Sequence, residues 1–263
     1  VTEHSLTVRL CQMNVHDGST HEGRAANFQH IEHVLSRSTE DLVVFPEACT
    51  SGFPYRRLVE VARDNAEFLA SVRYAHTCVL PLLMAEGERF VNRTFVLQSG
   101  GQAAAYDKIH LIGLLGEDRF LSPGSDVIRF ACGPFSAGLA TCYDLRFPEL
   151  FRSLMLAGVE LFVVPAMWPA QRADHLLALA RARAIENQAY VLLCNAVGQS
   201  GSLDLCGQSA VFDPRGNCLV QAAGSSVELT AALDLDALVS WRAEFPVLKD
   251  ARLLTLPFAE PQE

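Results

Sequence analysis

Short apolar runs rich in β-branched residues alternate with segments of helical period along nearly the whole chain, and this alternation limits the possible folds more than any other feature. TVRLCQMNV (7–15) reads as a strand, after which NFQHIEHVL (27–35) places Phe28, Ile31, Val34 and Leu35 on one helical stripe. DLVVFPE (41–47) reads as a short buried strand that is stopped by Pro46 and ends in an acid. Beyond a helical stretch near 56–75, CVLPLLMAE, FVNRTFVLQS and, after Gly100-Gly101, QAAAYDKIHL read as a meander. DVIRFACGPFSAGLATCYD reads as two strands joined across Cys132-Gly133-Pro134, and PELFRSLMLAGVE then begins a helix. LFVVPA (161–166) is a further buried strand, ADHLLALARARAIENQAY a helix and YVLLCNAVG (190–198) a strand. SAVFDPRGNCLVQAA reads as a hairpin about Asp213-Pro214-Arg215-Gly216, and VELTAALDL as the last strand. The expected class is mixed α/β with several hairpins; a purely parallel doubly wound sheet fits less well. No linker, low-complexity tract or repeat interrupts the pattern, so residues 1–263 are expected to form one domain.

A chain of 263 residues, half of them apolar and 19% charged, can bury a large single core. Its formal net charge of -9 disfavours nucleic acid or an anionic membrane as the main partner, because both require a cationic face. No apolar run is long enough for a membrane span, and the N-terminal VTEHSLTVRL has no signal-peptide character, so the expected location is cytoplasmic. The eight cysteines include no Cys-x-x-Cys pair and lie scattered through apolar stretches, which argues against both a disulfide framework and a zinc site.

Three expected strand ends each carry a reactive group: Glu47 after LVVFP, Lys108 in YDKIHL and Cys142 in GLATCYDLRFPEL. An acid, an amine and a thiol suffice for acyl transfer. The thiolate is the attacking form, and a strand-to-helix corner such as that at Cys142 supplies helix-terminal N–H groups. Glu47 can take the thiol proton, and Lys108 can hold the oxyanion that develops on the attacked carbon. Taken singly, each residue also fits a plainer role as an inert buried thiol, a cap or a solvated charge. The three are far apart in sequence, so only a fold can assemble them.

FPEACTSGF, YDKIHLI, GEDRFLSPG, TCYDLRFPEL and RARAIENQAYV, in this order, closely resemble the motifs of the carbon–nitrogen hydrolase (nitrilase) superfamily, from the first strand to the EFPVLKDA tail. The resemblance implies a four-layer α-β-β-α sandwich and homodimers that extend the sandwich across the subunit interface. It puts the family's catalytic Glu, Lys and Cys on Glu47, Lys108 and Cys142, and its second glutamate on Glu117. The plain alternative for Glu117 is a surface acid in the run Glu117-Asp118-Arg119. The implied reaction releases ammonia from a small-molecule amide through a thioester on Cys142. Lys108 and the backbone N–H of Tyr143 hold the oxyanion, Glu47 moves the protons, and no metal or organic cofactor is needed.

Neighbouring residues bear on specificity. Arg146 lies four residues after Cys142, and a guanidinium there can bind a carboxylate bidentately. Similar enzymes that hydrolyse omega-amides of dicarboxylic acids, such as 2-oxoglutaramate, use an arginine in this motif for that purpose; the alternative is a structural salt bridge to Glu149 or Asp144. MWPAQRADH resembles a segment of the same branch, so Met167 and Trp168 are expected to line the pocket, against the alternative of a core tryptophan. His175 reads as a structural histidine and Cys49 as a bystander. The loop GLLGEDRF departs from the longer insertion that omega-amidases often carry, which leaves N-carbamoyl compounds or a deaminated peptide amide open as substrates. A nitrilase proper shares the same residues. A catalytically silent oligomeric interaction module is the reading from another class, and the joint presence of Glu47, Lys108, Glu117 and Cys142 argues against it.

Overall fold

Strand alternation sorts the apolar residues of this chain onto two faces, and the fold follows from where each face is buried. In the computed structural model, residues 4–252 are described; residues 1–3, part of the N-terminal segment read above, and 253–263 lie outside that range. In chain order the first half runs β1 (Ser5–Gln12), α1 (His21–Arg37), β2 (Leu42–Val44), α2 (Leu58–Ser71), β3 (Thr77–Glu86), β4 (Arg89–Gln98) and β5 (Gly101–Asp107). The second half runs β6 (Arg129–Cys132), β7 (Phe135–Leu139), α3 (Pro148–Leu156), β8 (Leu161–Ala166), α4 (Ala173–Asn187) and β9 (Tyr190–Asn195). The short strands β10 (Val197–Ser200), β11 (Leu203–Cys206), β12 (Ala210–Phe212) and β13 (Cys218–Gln221) follow, and β14 (Val227–Asp234) leads into α5 (Leu235–Glu244).

One six-stranded sheet has the order β14-β1-β2-β3-β4-β5 and the other β13-β12-β9-β8-β7-β6, while β10 and β11 pair separately. In each sheet three central strands are parallel and joined by helical crossovers, with antiparallel strands added at the edges. Leu6, Val8, Leu10, Leu42, Val44, Val79, Val96 and Tyr106 face the second sheet and join its Phe135, Ala137 and Leu139 in one core. The intervening Cys11, Val43, Cys78, Leu80, Phe95 and Leu97 face outward against Ile31, Val34, Leu35 and Phe68 of α1 and α2. Leu150, Phe151 and Leu154 of α3 and Leu176, Ala180 and Ala184 of α4 cover the second sheet. Helix, sheet, sheet and helix stack in that order, giving the four-layer sandwich expected.

The differences from the sequence reading have local causes. The segment 41–47 pairs only over Leu42–Val44, because Pro46 has no N–H to give to a ladder, and Phe45-Pro46-Glu47 therefore leaves the sheet. Helix α1 begins six residues before its apolar stripe, where Thr20 caps it by accepting from the Gly23 N–H. The β10–β11 hairpin and α5 were not read as elements. Among the described residues no helix is long and apolar enough to cross a membrane.

Candidate active site

Glu47, Lys108, Cys142 and Met167 follow the carboxyl ends of β2, β5, β7 and β8, the edge at which α/β sheets gather ligands and reactive groups. All four line one cavity of about 270 Å³. The Lys108 ammonium lies 2.9 Å from Glu47 Oε1, 2.9 Å from Glu117 Oε1 and 3.0 Å from Glu117 Oε2. Asn92 Nδ2 donates to Glu47 Oε1 at 2.8 Å, the Met167 N–H to Glu47 Oε2 at 3.1 Å, and the Ile112 N–H to Glu117 Oε2 at 2.8 Å. Glu47, Lys108 and Glu117 are at most 2% exposed, so Glu117 is no surface acid.

Burial opposes the ammonium of Lys108, yet the adjacent carboxylates of Glu47 and Glu117 outweigh that cost and raise its pKa; it stays a cation. Burial raises the Glu117 pKa, with Lys108 opposing and Glu47 adding to the rise. Burial also raises the Cys142 thiol well above its ordinary value, and the nearby Glu47 carboxylate adds to this while Lys108 opposes it. Cys142 therefore rests as a neutral thiol near a carboxylate able to take its proton.

Cys142 opens a short 3-10 turn, Cys142–Arg146, and has a φ of 49°, in the left-handed region. A side chain held there costs on the order of 1–3 kcal/mol and persists only where the surroundings fix it. Thr141 and Asp144 fix this turn reciprocally: the Thr141 carbonyl accepts from the Asp144 N–H at 3.0 Å and the Asp144 carboxylate accepts from the Thr141 N–H at 2.8 Å. Pro148 at the start of α3 then lets the chain enter a helix at once. Tyr143 is in the first turn, where N–H groups have no intrahelical acceptor.

Tyr143, Arg146, Met167 and Trp168 all line the cavity, together with Arg172, His175 and an apolar wall that includes Phe53, Tyr55, Leu203 and Leu205. The Arg146 guanidinium lies 4.6 Å from the Trp168 ring centroid and 5.8 Å from that of Tyr143. Among the described residues no carboxylate pairs with it. The salt bridge to Glu149 or Asp144 weighed above is absent from that set. Trp168 is 2% exposed and anchored by Nε1–H to the Arg172 carbonyl at 2.7 Å, so it is at once a core residue and a cavity wall. His175 differs from its sequence reading: it is exposed on the cavity rim, with Nδ1 3.5 Å from Arg146. Cys49 packs in the core under α1 and α2 and donates to the Pro81 carbonyl, away from the cavity lining.

Sequence reasoning missed the residues that hold the cluster rather than compose it. Asn92 on β4 orients Glu47, and Asp144 receives Tyr106 and His110. Arg183 of α4 donates to the Leu145 carbonyl in the nucleophile's turn at 2.9 and 3.2 Å. Arg183, Asp144, Tyr106 and His110 lie inside the motifs RARAIENQAYV, TCYDLRFPEL and YDKIHLI, whereas Asn92 lies outside them.

A buried thiol, two carboxylates and an ammonium at the carboxyl edge of a doubled α/β sandwich are the groups that acyl transfer requires. Residues 7–243 match the carbon-nitrogen hydrolase family, and the chain belongs to that family, whose members cleave carbon–nitrogen bonds. It is 33% identical to a 2-oxoglutaramate amidase of Paenarthrobacter nicotinovorans, over 94% of this chain and 90% of that protein. It is 34% identical to an omega-amidase of Escherichia coli, over 86% of this chain and 90% of that one. Among solved structures it resembles a carbon-nitrogen hydrolase superfamily protein of Xanthomonas campestris that carries an arsenic adduct in its active site. The TM-score is 0.88 at 27% identity, covering 97% of this chain and 100% of that one.

Proposed function

We propose that the chain is a cysteine-dependent omega-amidase that hydrolyses the terminal amide of a small dicarboxylic acid monoamide, such as 2-oxoglutaramate or succinamate. The observation that carries this reading is a cavity with Cys142, Glu47, Lys108 and Glu117 among its lining and an Arg146 free of carboxylate partners among the described residues. The Cys142 thiol gives its proton to Glu47 as sulfur attacks the amide carbon. Lys108 and the Tyr143 N–H hold the oxyanion of the tetrahedral intermediate, and Glu117 holds Lys108. The carbon–nitrogen bond then breaks as Glu47 protonates the nitrogen, and ammonia leaves. A water molecule attacks the thioester and gives its proton to Glu47. The carbon–sulfur bond breaks, the sulfur recovers its proton, and the acid is released.

Arg146 takes the distal carboxylate of the substrate in this reading, with its face on Trp168 and its donors available. The relatives named for 2-oxoglutaramate and omega-amides support this substrate class. The reading extends to one domain acting as a homodimer in the cytoplasm. Support for the assembly comes from the family resemblance and from Val239 and Phe245, exposed apolar residues on and just after α5. Support for the compartment comes from eight free cysteines, which suit a reducing medium. Ammonia release from a panel of succinamate, 2-oxoglutaramate, N-carbamoyl amino acids, a deaminated glutathione analogue and simple nitriles tests the reading. Highest kcat/KM on the two acidic monoamides is expected; preference for any other member of the panel overturns the substrate assignment.

A further inference from the structure

We propose that Asp144 is a positioning residue for the amidase reaction: its carboxylate clasps the turn that carries Cys142 to both flanks of Lys108. The inference rests on the catalytic reading above and adds to it the part that sets the spacing between nucleophile and oxyanion donor. Asp144 is fully buried and accepts four hydrogen bonds. Oδ2 takes the Tyr106 hydroxyl at 2.6 Å and the Thr141 N–H at 2.8 Å. Oδ1 takes the His110 N–H at 2.9 Å and His110 Nδ1 at 2.7 Å, which requires the Nδ1–H tautomer or the imidazolium. Tyr106 precedes Lys108 by two residues and His110 follows it by two, so one carboxylate holds the chain on either side of the lysine, through the Tyr106 side chain and through the backbone and ring of His110. Thr141 is the residue before the nucleophile.

Two further contacts brace the same pair of segments. The His110 ring stacks on Phe147, the residue that ends the Cys142 turn, with centroids 3.7 Å apart and planes 6° from parallel. Thr141 Oγ1 lies 3.2 Å from Thr94 Oγ1 on β4, the strand paired with β5. The left-handed φ of Cys142 supplies the reason such bracing matters, because a turn strained at that residue relaxes unless its neighbours over-determine it. Relaxation would carry the thiol away from Glu47 and Lys108, and a displacement of about 1 Å in a catalytic group costs about 100-fold in rate.

The test is Asp144→Asn. An amide has one acceptor oxygen and one donor nitrogen, so whichever way it turns, the backbone N–H of Thr141 or of His110 faces an NH2 group and loses its acceptor, and the Tyr106 hydroxyl or the His110 ring must reverse its role. Turnover of the best acidic monoamide and alkylation of Cys142 by iodoacetamide, followed peptide by peptide with the exposed Cys218 as internal reference, are measured on the folded protein. The expected result is a kcat about 100-fold lower with KM little changed, and alkylation of Cys142 slowed in parallel while Cys218 is unaffected. Tyr106→Phe and His110→Ala each remove one arm of the clasp and are expected to fall in the same direction by less; they carry the test if Asp144→Asn does not fold. Wild-type kcat and wild-type Cys142 alkylation in a folded Asp144→Asn, or in both single-arm variants, overturn the proposal, even where melting temperature falls. Cys142→Ala separates the two claims: if it is inactive while the clasp variants behave as wild type, only the clasp fails, and if it turns over substrate, the catalytic reading itself fails.

Discussion

At the scale of single residues the site is a charge problem, since two carboxylates and one ammonium are buried together with a thiol that, in the proposed reaction, gives its proton to one of them. Lys108→Ala and Glu47→Ala are each expected to lower kcat by about 10²–10⁴, the range of one oxyanion donor or one acid–base group, as measured by ammonia release. Lys108→Ala also leaves two buried carboxylates without their cation, and chemical unfolding should register a loss of about 3–5 kcal/mol. Arg146→Lys keeps the charge but loses the planar fork. It should raise KM for an acidic monoamide by an amount equivalent to about 2–5 kcal/mol and affect a neutral amide of equal length far less. Equal losses on both substrates would make Arg146 structural. Glu47, Lys108 and Cys142 were legible because each follows a strand within a short motif, whereas Glu117, in a turn, was legible only through the family resemblance. Asp144, His110 and Asn92 were not, because their partners are 34 to 45 residues away and the pairs exist only once two strands and a turn have met.

At the scale of elements, what positions the chemistry is how each strand ends. β2 gives up pairing after three residues so that Glu47 can turn into the cavity, and β5 stops at Asp107 so that the Lys108 carbonyl can accept from the Gly124 N–H at 2.9 Å. Gly124 is the glycine of the Leu-Ser-Pro-Gly turn, and a Cβ built there would lie 2.2 Å from the Asp107 carbonyl oxygen. Gly124→Ala should therefore push apart the segment carrying Lys108 and the turn facing it. The expected outcome is a stability loss of about 1–3 kcal/mol with a fall in kcat, against no change in either if the backbone there can yield freely. Periodicity found the long strands and the amphipathic helices because their buried faces repeat over many residues. It missed the β10–β11 hairpin, two four-residue strands with glycines beside and between them, and α5, which buries only Leu238.

At the scale of the whole molecule, alternation and composition were enough for a mixed α/β fold, whereas the stacking of two sheets into four layers came from the family resemblance. Sheet-on-sheet packing depends on which alternate residues face inward, and fully apolar runs such as LFVVPA carry no such signal, being buried on both faces. The same burial gives the molecule an alkaline limit. Burial holds the thiols of Cys11, Cys49, Cys78, Cys132, Cys142, Cys194 and Cys206 above the ordinary value, with Cys132 pushed up to about 12 and Cys206 to about 11. In the unfolded chain these groups lose protons first as pH rises, so the unfolded state then binds fewer protons and stability falls with pH. The stabilisation is fully present below the ordinary thiol range and is lost above it, by about 1.4 kcal/mol per pH unit for each thiol still protonated in the fold. Urea midpoints should be level between pH 7 and 8 and drop steeply from pH 9 to 10; a level midpoint through pH 10 would contradict this.

The central claim, that Cys142 forms a thioester with the substrate, is tested most directly by rapid-quench peptide mass spectrometry during turnover of 2-oxoglutaramate or succinamate. The account predicts an acyl adduct, the mass of substrate less ammonia, on the peptide containing Cys142 and on no other cysteine, and neither adduct nor ammonia release in Cys142→Ala. An adduct on another residue, or ammonia released at the wild-type rate by Cys142→Ala, would contradict it.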